Sequence, residues 1–449
     1  MQTPDPLNAP AEEQETPQAS RNFSLLALYQ VVMRTGWIFK TESIIMPAVL
    51  DLMGGTAVLR GFLPMLNRLG QSFPPLIAAD YIRQLSHKKR MLAVCSAVMG
   101  ACFVSLALIW QGSNHERSTA LPFLFLVIYA IFFSFVGLHN LVMNLLVGKL
   151  VRVTLRGRLM LVSMTLGCLS AVTFAWFVLR RWLGAETGQF ESIFLFTGVA
   201  FLISAIVACC LKEEPDTGQP EKKKLHHSLQ QSWKTLREDR NFRVLVVIAG
   251  SFGMSMTLFP HYQALARGRL DVGLQAMVSW LIVQNVGAAG FSIPLGWLAD
   301  RYGFRLVLRI QMLLLMLPPI LAISLANIAG GSHWFLWVFA LLGLSPVMLR
   351  TFSNYTLEIA DRQKQPIYLS TMSVCMALPV LATSLLVGLM VELLGFEITF
   401  LLVMVTIFVG WILTFKLAEP RQERLGLVGE RATESHENRR PPANLADLS

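Results

Sequence analysis

The chain has 449 residues, of which 54% are hydrophobic and only 15% charged. A soluble domain carries about 25% charged residues, whereas the roughly 240 apolar positions here match the needs of about twelve crossings of about 20 residues each. A three-domain soluble protein and a largely disordered chain are both excluded, and the net charge of +10 lies in short loops without a basic, aromatic-laced stripe, which argues against nucleic acid.

The first stretch, 1–23, is polar and acidic, with Asp5, Glu12, Glu13 and Glu15 and no basic leader, so no cleaved targeting sequence is expected. Apolar segments then run 24–50, 57–79, 91–110, 120–147, 159–181 and 190–211, and, after a charged interval, 244–266, 273–299, 306–328, 333–357, 366–391 and 396–417. No Asp, Glu, Lys or Arg occurs between Arg309 and Arg350, and Gly330-Gly331-Ser332-His333 divides that stretch. Continuous apolar runs, as opposed to short alternating ones, predict helices, because lipid leaves every backbone polar group to be paired within its own segment. The expected fold is all-α: twelve transmembrane helices as two six-helix bundles, 24–211 and 242–418, with a linker at 212–241 and tails at 1–23 and 419–449.

Basic residues mark the sidedness. The loops after the second, fourth, sixth, eighth and tenth segments hold Arg83-Lys88-Lys89-Arg90, Lys149-Arg152-Arg156-Arg158, Lys212 with Lys222-Lys223-Lys224, Arg301-Arg305 and Arg362-Lys364, while the opposite loops hold far fewer. Both termini are therefore expected in the cytoplasm. In the linker, Leu225, Leu229, Trp233 and Leu236 recur at helical spacing and predict a short amphipathic helix. The tail from Glu419 is rich in Pro, Glu and Arg and is expected to be disordered. Cys95, Cys102, Cys168, Cys209, Cys210 and Cys375 all lie in apolar segments without metal-ligand spacing and read as small packing residues.

The halves repeat weakly. Pro74-Pro-Leu-Ile-Ala-Ala-Asp80 aligns with Pro294-Leu-Gly-Trp-Leu-Ala-Asp300, and a second offset pairs Asn144, Arg152 and Ser163 with Asn354, Arg362 and Ser373. Gly296-Trp-Leu-Ala-Asp-Arg-Tyr-Gly-Phe-Arg305 resembles the signature loop of the major facilitator superfamily, Gly-x-Leu-Ala-Asp-Arg-x-Gly-Arg-x, except that Phe304 precedes the final Arg. In the first half Asp80 and the basic cluster through Arg90 remain, but Leu76 and Arg83 stand where glycines belong. The resemblance implies two bundles rocking about a central cavity, with Asp300, Arg301, Arg305 and Asp80 gating one side. Plain positive-inside anchoring is the other reading of Arg301 and Arg305. Two family features are missing: span five has Gly167 but no Gly-Pro pair, and Gly137-Leu-His-Asn140 stands in place of the span-four Arg motif. Proton–drug antiport is correspondingly weakened.

Intramembrane polar residues point to the pathway, since each needs a cavity or a partner. On a continuous first helix, Arg34 and Glu42 lie about 80° apart with Lys40 roughly opposite Glu42. Arg60, Asn67 and Gln71 fall within about 20° of one another, with Arg68 about 80° away. The second half offers His261, Gln263, Gln284, Asn285, Arg350, Asn354 and Glu358. The expected substrate-binding set is Arg34, Asn67, Arg68, Gln71, Gln284, Asn285, Arg350 and Asn354. Arg60 reads either as part of this stripe or as a snorkelling interfacial residue, and Glu358 as a solvated helix end. The buried charges sum positive, which suits an anionic or zwitterionic solute gripped by Arg. Glu42, a lone carboxylate at membrane depth, is the proton-coupling candidate. His139 and His261 are either titrating groups or hydrogen-bonded structural ones.

No hydrolase, zinc-protease, P-loop or dinucleotide motif occurs. No catalytic residue, metal or cofactor is therefore expected. The reading is a secondary carrier of a small organic solute, with an efflux carrier or a non-transporting membrane sensor of the same fold as alternatives. The expected partners are the solute and the bilayer, the expected state a monomer, and the expected place a bacterial inner membrane.

Overall fold

The computed structural model describes residues 17–113, 120–184, 188–216, 225–270, 272–328, 330–361 and 364–418. The expected C-terminal tail, 1–16 and linker residues 217–224 lie outside them. Every regular element among the described residues is helical, and none is a strand.

The expected continuous first helix is instead two, α1 (Pro17–Ile38) and α2 (Ile45–Leu52). The backbone departs where Lys40, Thr41 and Glu42 interrupt the apolar run. Thr41 ties both ends: its hydroxyl donates to the Ile38 carbonyl at 2.7 Å, and its carbonyl accepts from Ile45 N at 2.9 Å and Met46 N at 3.1 Å. Pro47 in the first turn of α2 loses no intrahelical bond, because first-turn N–H groups have no partner there.

Next come α3 (Ala57–Gln84), α4 (Lys88–Gly112), α5 (Ala120–Leu150), α6 (Val153–Phe174), a π-helical turn at Ala175–Leu179, α7 (Arg180–Leu183) and α8 (Phe190–Cys209). Glycines let α3 and α5 touch backbone to backbone: a Cβ on Gly137 would lie 2.4 Å from the Gly70 carbonyl oxygen. The crossing sets α3 beside Phe133, and the neighbouring Phe132 meets Phe103 edge to face at 5.0 Å in an aromatic core.

The predicted amphipathic helix is α9 (Leu225–Glu238). After it run α10 (Arg240–Met256), α11 (Phe259–Arg269), α12 (Ala276–Tyr302), α13 (Phe304–Leu314), α14 (Leu317–Ala326), α15 (Gly331–Trp334), α16 (Leu336–Leu342), α17 (Leu344–Ile359) and α18 (Gln365–Leu413). The 49 residues of α18 would reach about 74 Å if straight, more than twice the roughly 30 Å of a hydrocarbon core. Gly395 breaks it, with φ 81° and ψ 175°. Only glycine adopts that conformation comfortably, so Gly395→Ala is expected to destabilise the protein by about 1–3 kcal/mol. A melting curve in detergent identical to that of the parent would contradict this. Arg269 clasps the same turn, pairing with Glu397 and donating to Asn327 Oδ1 at 2.9 Å.

Nine helical stretches among the described residues are long and apolar enough to cross a membrane, the last being the 50-residue run Ile367–Lys416. Neither α1 nor α3 is among them; α3 carries Arg60, Arg68, Asp80 and Arg83. The residues fall into two compact units, one drawn from Met1–Gly55 and Leu66–Lys222, the other from Thr56–Met65 and Lys223–Ser449. Within the second, Trp280 stacks on Phe339 at 4.7 Å, and Gln311 Nε2 donates to Thr351 Oγ1 at 3.0 Å between α13 and α17.

Candidate functional site

In the first unit, the break after α1 turns Lys40 inward. Its side chain has no accessible surface, and its ammonium lies 3.3 Å from the ring centroid of Trp37, 4.5 Å from Phe133 and 5.0 Å from Phe132. Three aromatic faces thus hold one cation, a contact worth up to about 2 kcal/mol when desolvated. The fourth partner is Glu42 Oε1 at 2.9 Å. This corrects two expectations. Glu42 is not a lone carboxylate, and Lys40 does not point away from it, because the helix that would separate them ends at Ile38.

Glu42 also links to α3. Asn67 donates its amide to Glu42 Oε2, and Gln71, one turn on, donates to Asn67 Oδ1. Arg68 lies within electrostatic reach of the same carboxylate, as does the buried Tyr129, whose hydroxyl has no hydrogen-bond partner among the described residues. Arg34 lies half-buried on α1, against Gly167, with its guanidinium 3.3 Å from Met164 Sδ. Among the described residues no carboxylate pairs with Arg34. A cation, a carboxylate and an amide relay therefore sit within electrostatic reach of the Arg68 guanidinium, while Arg34 packs separately against α6. Glu42, Asn67, Gln71 and Arg68 of this cluster stand out in the sequence as polar residues in apolar runs, whereas Trp37, Tyr129, Phe132 and Phe133 look like ordinary apolar positions, and Arg34 is not brought to the cluster.

The second unit assembles less. Asn285 turns its amide back to the Leu281 carbonyl at 2.8 Å, and Gln284 beside it is half-buried. Arg350 and Asn354 share a face of α17, both exposed, so Arg350 does not add to the buried charge. Glu358 is half-buried. His261 and Gln263 have no accessible surface, and neither ring nitrogen of His261 has a hydrogen-bond partner among the described residues. His139 stacks on Tyr29 at 5.8 Å and contacts Asn140 Oδ1 through Nδ1 at 3.3 Å.

At the signature loop, Gly303 takes φ 83° and ψ 166° and so ends α12 and starts α13 within one residue. Asp300 is exposed. Arg301 lies over Trp297 at 5.4 Å, and Arg305 donates to the Phe415 carbonyl at 3.3 Å. The side chain of Asp80 lies outside the described residues.

A second polar cluster, also missed, binds the strand of chain after α8 in the first unit. The buried Glu213 carboxylate accepts from the backbone N–H groups of Lys88 at 3.0 Å and Lys89 at 2.7 Å, capping α4, and pairs with Lys149 at 3.0 Å. Asp216 pairs with Lys149 at 2.7 Å and with Lys88, and these ammonium groups hold its carboxyl below the usual range.

A sequence profile of the Major Facilitator Superfamily matches residues 177–345 and 269–445, together more than half of the chain. The chain belongs to the Major Facilitator Superfamily. No curated protein matches it in sequence. Solved structures share the superfamily fold. The nucleoside transporter NupG superimposes with a TM-score of 0.67 at 13% identity, over 90% of this chain and 100% of that one. A bacterial homologue of the human lysosomal transporter Spinster, inward-facing and occupied, gives 0.65 at 12% identity over 89% and 97%. The xylose transporter XylE from E. coli gives 0.64 at 12% over 87% and 97%. Membership of the Major Facilitator Superfamily makes this chain a membrane-embedded transporter of a small molecule, and the glycine at 303 gives the superfamily's loop its physical reason: a turn that no side chain tolerates well.

Proposed function

We propose that the chain is a secondary active carrier of a small organic anion or zwitterion, working by alternating access and coupled to protons through Glu42. Its twelve spans form bundles over 24–211 and 242–418, both termini face the cytoplasm, and the protein is a monomer of a bacterial inner membrane. The observation that carries this reading is the contact set of Glu42. One carboxylate oxygen meets the Lys40 ammonium and the other meets Asn67 on α3, so a proton on Glu42 would loosen both ties at once. Arg68, within electrostatic reach of it, and Arg34, on α1 against α6, would supply bidentate donors for a carboxylate or phosphate. Gln71, Gln284, Asn285, Arg350 and Asn354 complete the solute set, and Asp80, Asp300, Arg301 and Arg305 the gate.

Reconstituted vesicles test it. Uptake of an organic anion should rise with an imposed pH gradient, and Glu42→Gln should abolish that response; a Glu42→Gln protein still driven by the gradient removes the coupling assignment. Arg34→Gln and Arg68→Gln should each lower uptake at least about tenfold, the scale of a lost charge-assisted bond. Unchanged uptake in both would remove the anion assignment. Cysteines placed at 67, 71 and 285 should react with polar reagents from either side in turn, as a sensor with a sealed centre would not.

A further inference from the structure

Helix α9 is amphipathic the wrong way round for a helix resting on a soluble body. Gln231, Lys234, Thr235 and Glu238, on its polar face, line a cavity of about 590 Å³ in the second unit, which Arg240, Lys364 and Tyr368 also border. On the opposite face lie Leu236, half-buried, and Trp233, which is 61% exposed. Arg237 lies over the Trp233 ring at 5.6 Å. A helix normally turns its apolar stripe inward. An outward stripe ending in Trp with Arg beside it is the arrangement of a helix lying in the plane of a membrane surface.

The cavity under α9 is cationic where it matters. Asp239 is already committed: one oxygen accepts from Phe242 N at 2.9 Å as the cap of α10, the other from the Tyr368 hydroxyl at 2.9 Å. Glu238 faces Lys234 at 3.7 Å. Among the described residues no acidic side chain pairs with Arg240 or Lys364. These two stand at the first turn of α10 and directly before α18, where two stretches long and apolar enough to cross a membrane begin, and the ends of such stretches meet lipid headgroups. We infer that the cavity between α9, α10 and the start of α18 binds the anionic headgroup of a phospholipid from the adjoining leaflet, with Arg240 and Lys364 on its phosphate and Trp233 among its neighbours' acyl chains.

The test uses the purified full-length chain in detergent, with thermal unfolding followed as phosphatidylglycerol, or phosphatidylcholine of the same acyl chains, is titrated in. Phosphatidylglycerol should bind about tenfold more tightly, in line with the attraction of basic side chains to an anionic lipid surface. Arg240→Gln with Lys364→Gln should erase that preference, whereas Arg240→Lys with Lys364→Arg should keep it, which separates lost charge from lost folding. Trp233→Ala should weaken binding of the lipid. Inorganic phosphate at the same concentrations should give no protection. Equal protection by the two lipids, a preference that survives the double Gln variant, or protection by inorganic phosphate as strong as by phosphatidylglycerol would overturn the inference, the last in favour of a soluble phosphate compound.

Discussion

Replacing Lys40 by methionine is expected to cost the protein about 3 kcal/mol, the lower end of what is lost when one partner of a buried ion pair is removed. The substitution keeps the volume inside the Trp37–Phe132–Phe133 enclosure but leaves the Glu42 carboxylate without its ammonium, with the Asn67 amide still attached. Glu42 retains 25% side-chain exposure, so solvent relieves part of the penalty and the lower end of the range applies. The double variant Lys40→Met with Glu42→Gln removes both charges and with them the cost of keeping charge out of water. It should recover most of the lost stability while staying unresponsive to a proton gradient. Melting temperatures of the parent, both single variants and the double variant in one detergent close the cycle. A double variant no more stable than Lys40→Met would show that the two residues act separately.

The second large effect is expected at Glu213. Its side chain is inaccessible to solvent and serves three donors, the N–H groups of Lys88 and Lys89 and the Lys149 ammonium. Glu213→Ala strands all three and should destabilise the first unit by about 3 kcal/mol, combining a lost helix cap with a broken buried pair. Glu213→Gln keeps an acceptor for the N–H groups and should cost less than half as much. Acid provides a related check at Asp216. Its carboxyl is depressed in the folded protein by Lys149 and Lys88, so its contribution is complete above about pH 4, the unfolded value, and fades as pH falls below that through the folded value. Asp216→Asn should therefore flatten the stability profile on the acid side and leave its shape at neutral pH alone. An unchanged acid limb would remove the role given to this pair.

The helical architecture was legible because membrane crossing demands long apolar runs, and every regular element among the described residues is helical, nine stretches being long and apolar enough to cross. The first segment misled in detail. Periodicity projects side chains from an unbroken helix, and once the chain leaves the helix at Ile38 the projected angle between Lys40 and Glu42 has no meaning. Polar members of the site were legible as rare residues in an apolar context, whereas Trp37, Phe132 and Phe133 were not, since an aromatic residue in a span looks the same whether it meets lipid, core or a cation. Glu213 escaped for the opposite reason: a carboxylate in a charged linker reads as solvated until the backbone N–H groups of α4 are seen to converge on it. In the second unit, Arg350 counted as buried by its place in the segment, but its face of α17 is open.

The single-residue turn at Gly395 has a practical consequence for mapping the chain across its bilayer. With no loop between the two parts of α18, that bend offers nothing for a protease to cut, an antibody to grip or an inserted tag to occupy. Surface mapping by such probes would pass over it in silence, and only reagents small enough to reach a side chain beside the bend, such as Glu397, would register it.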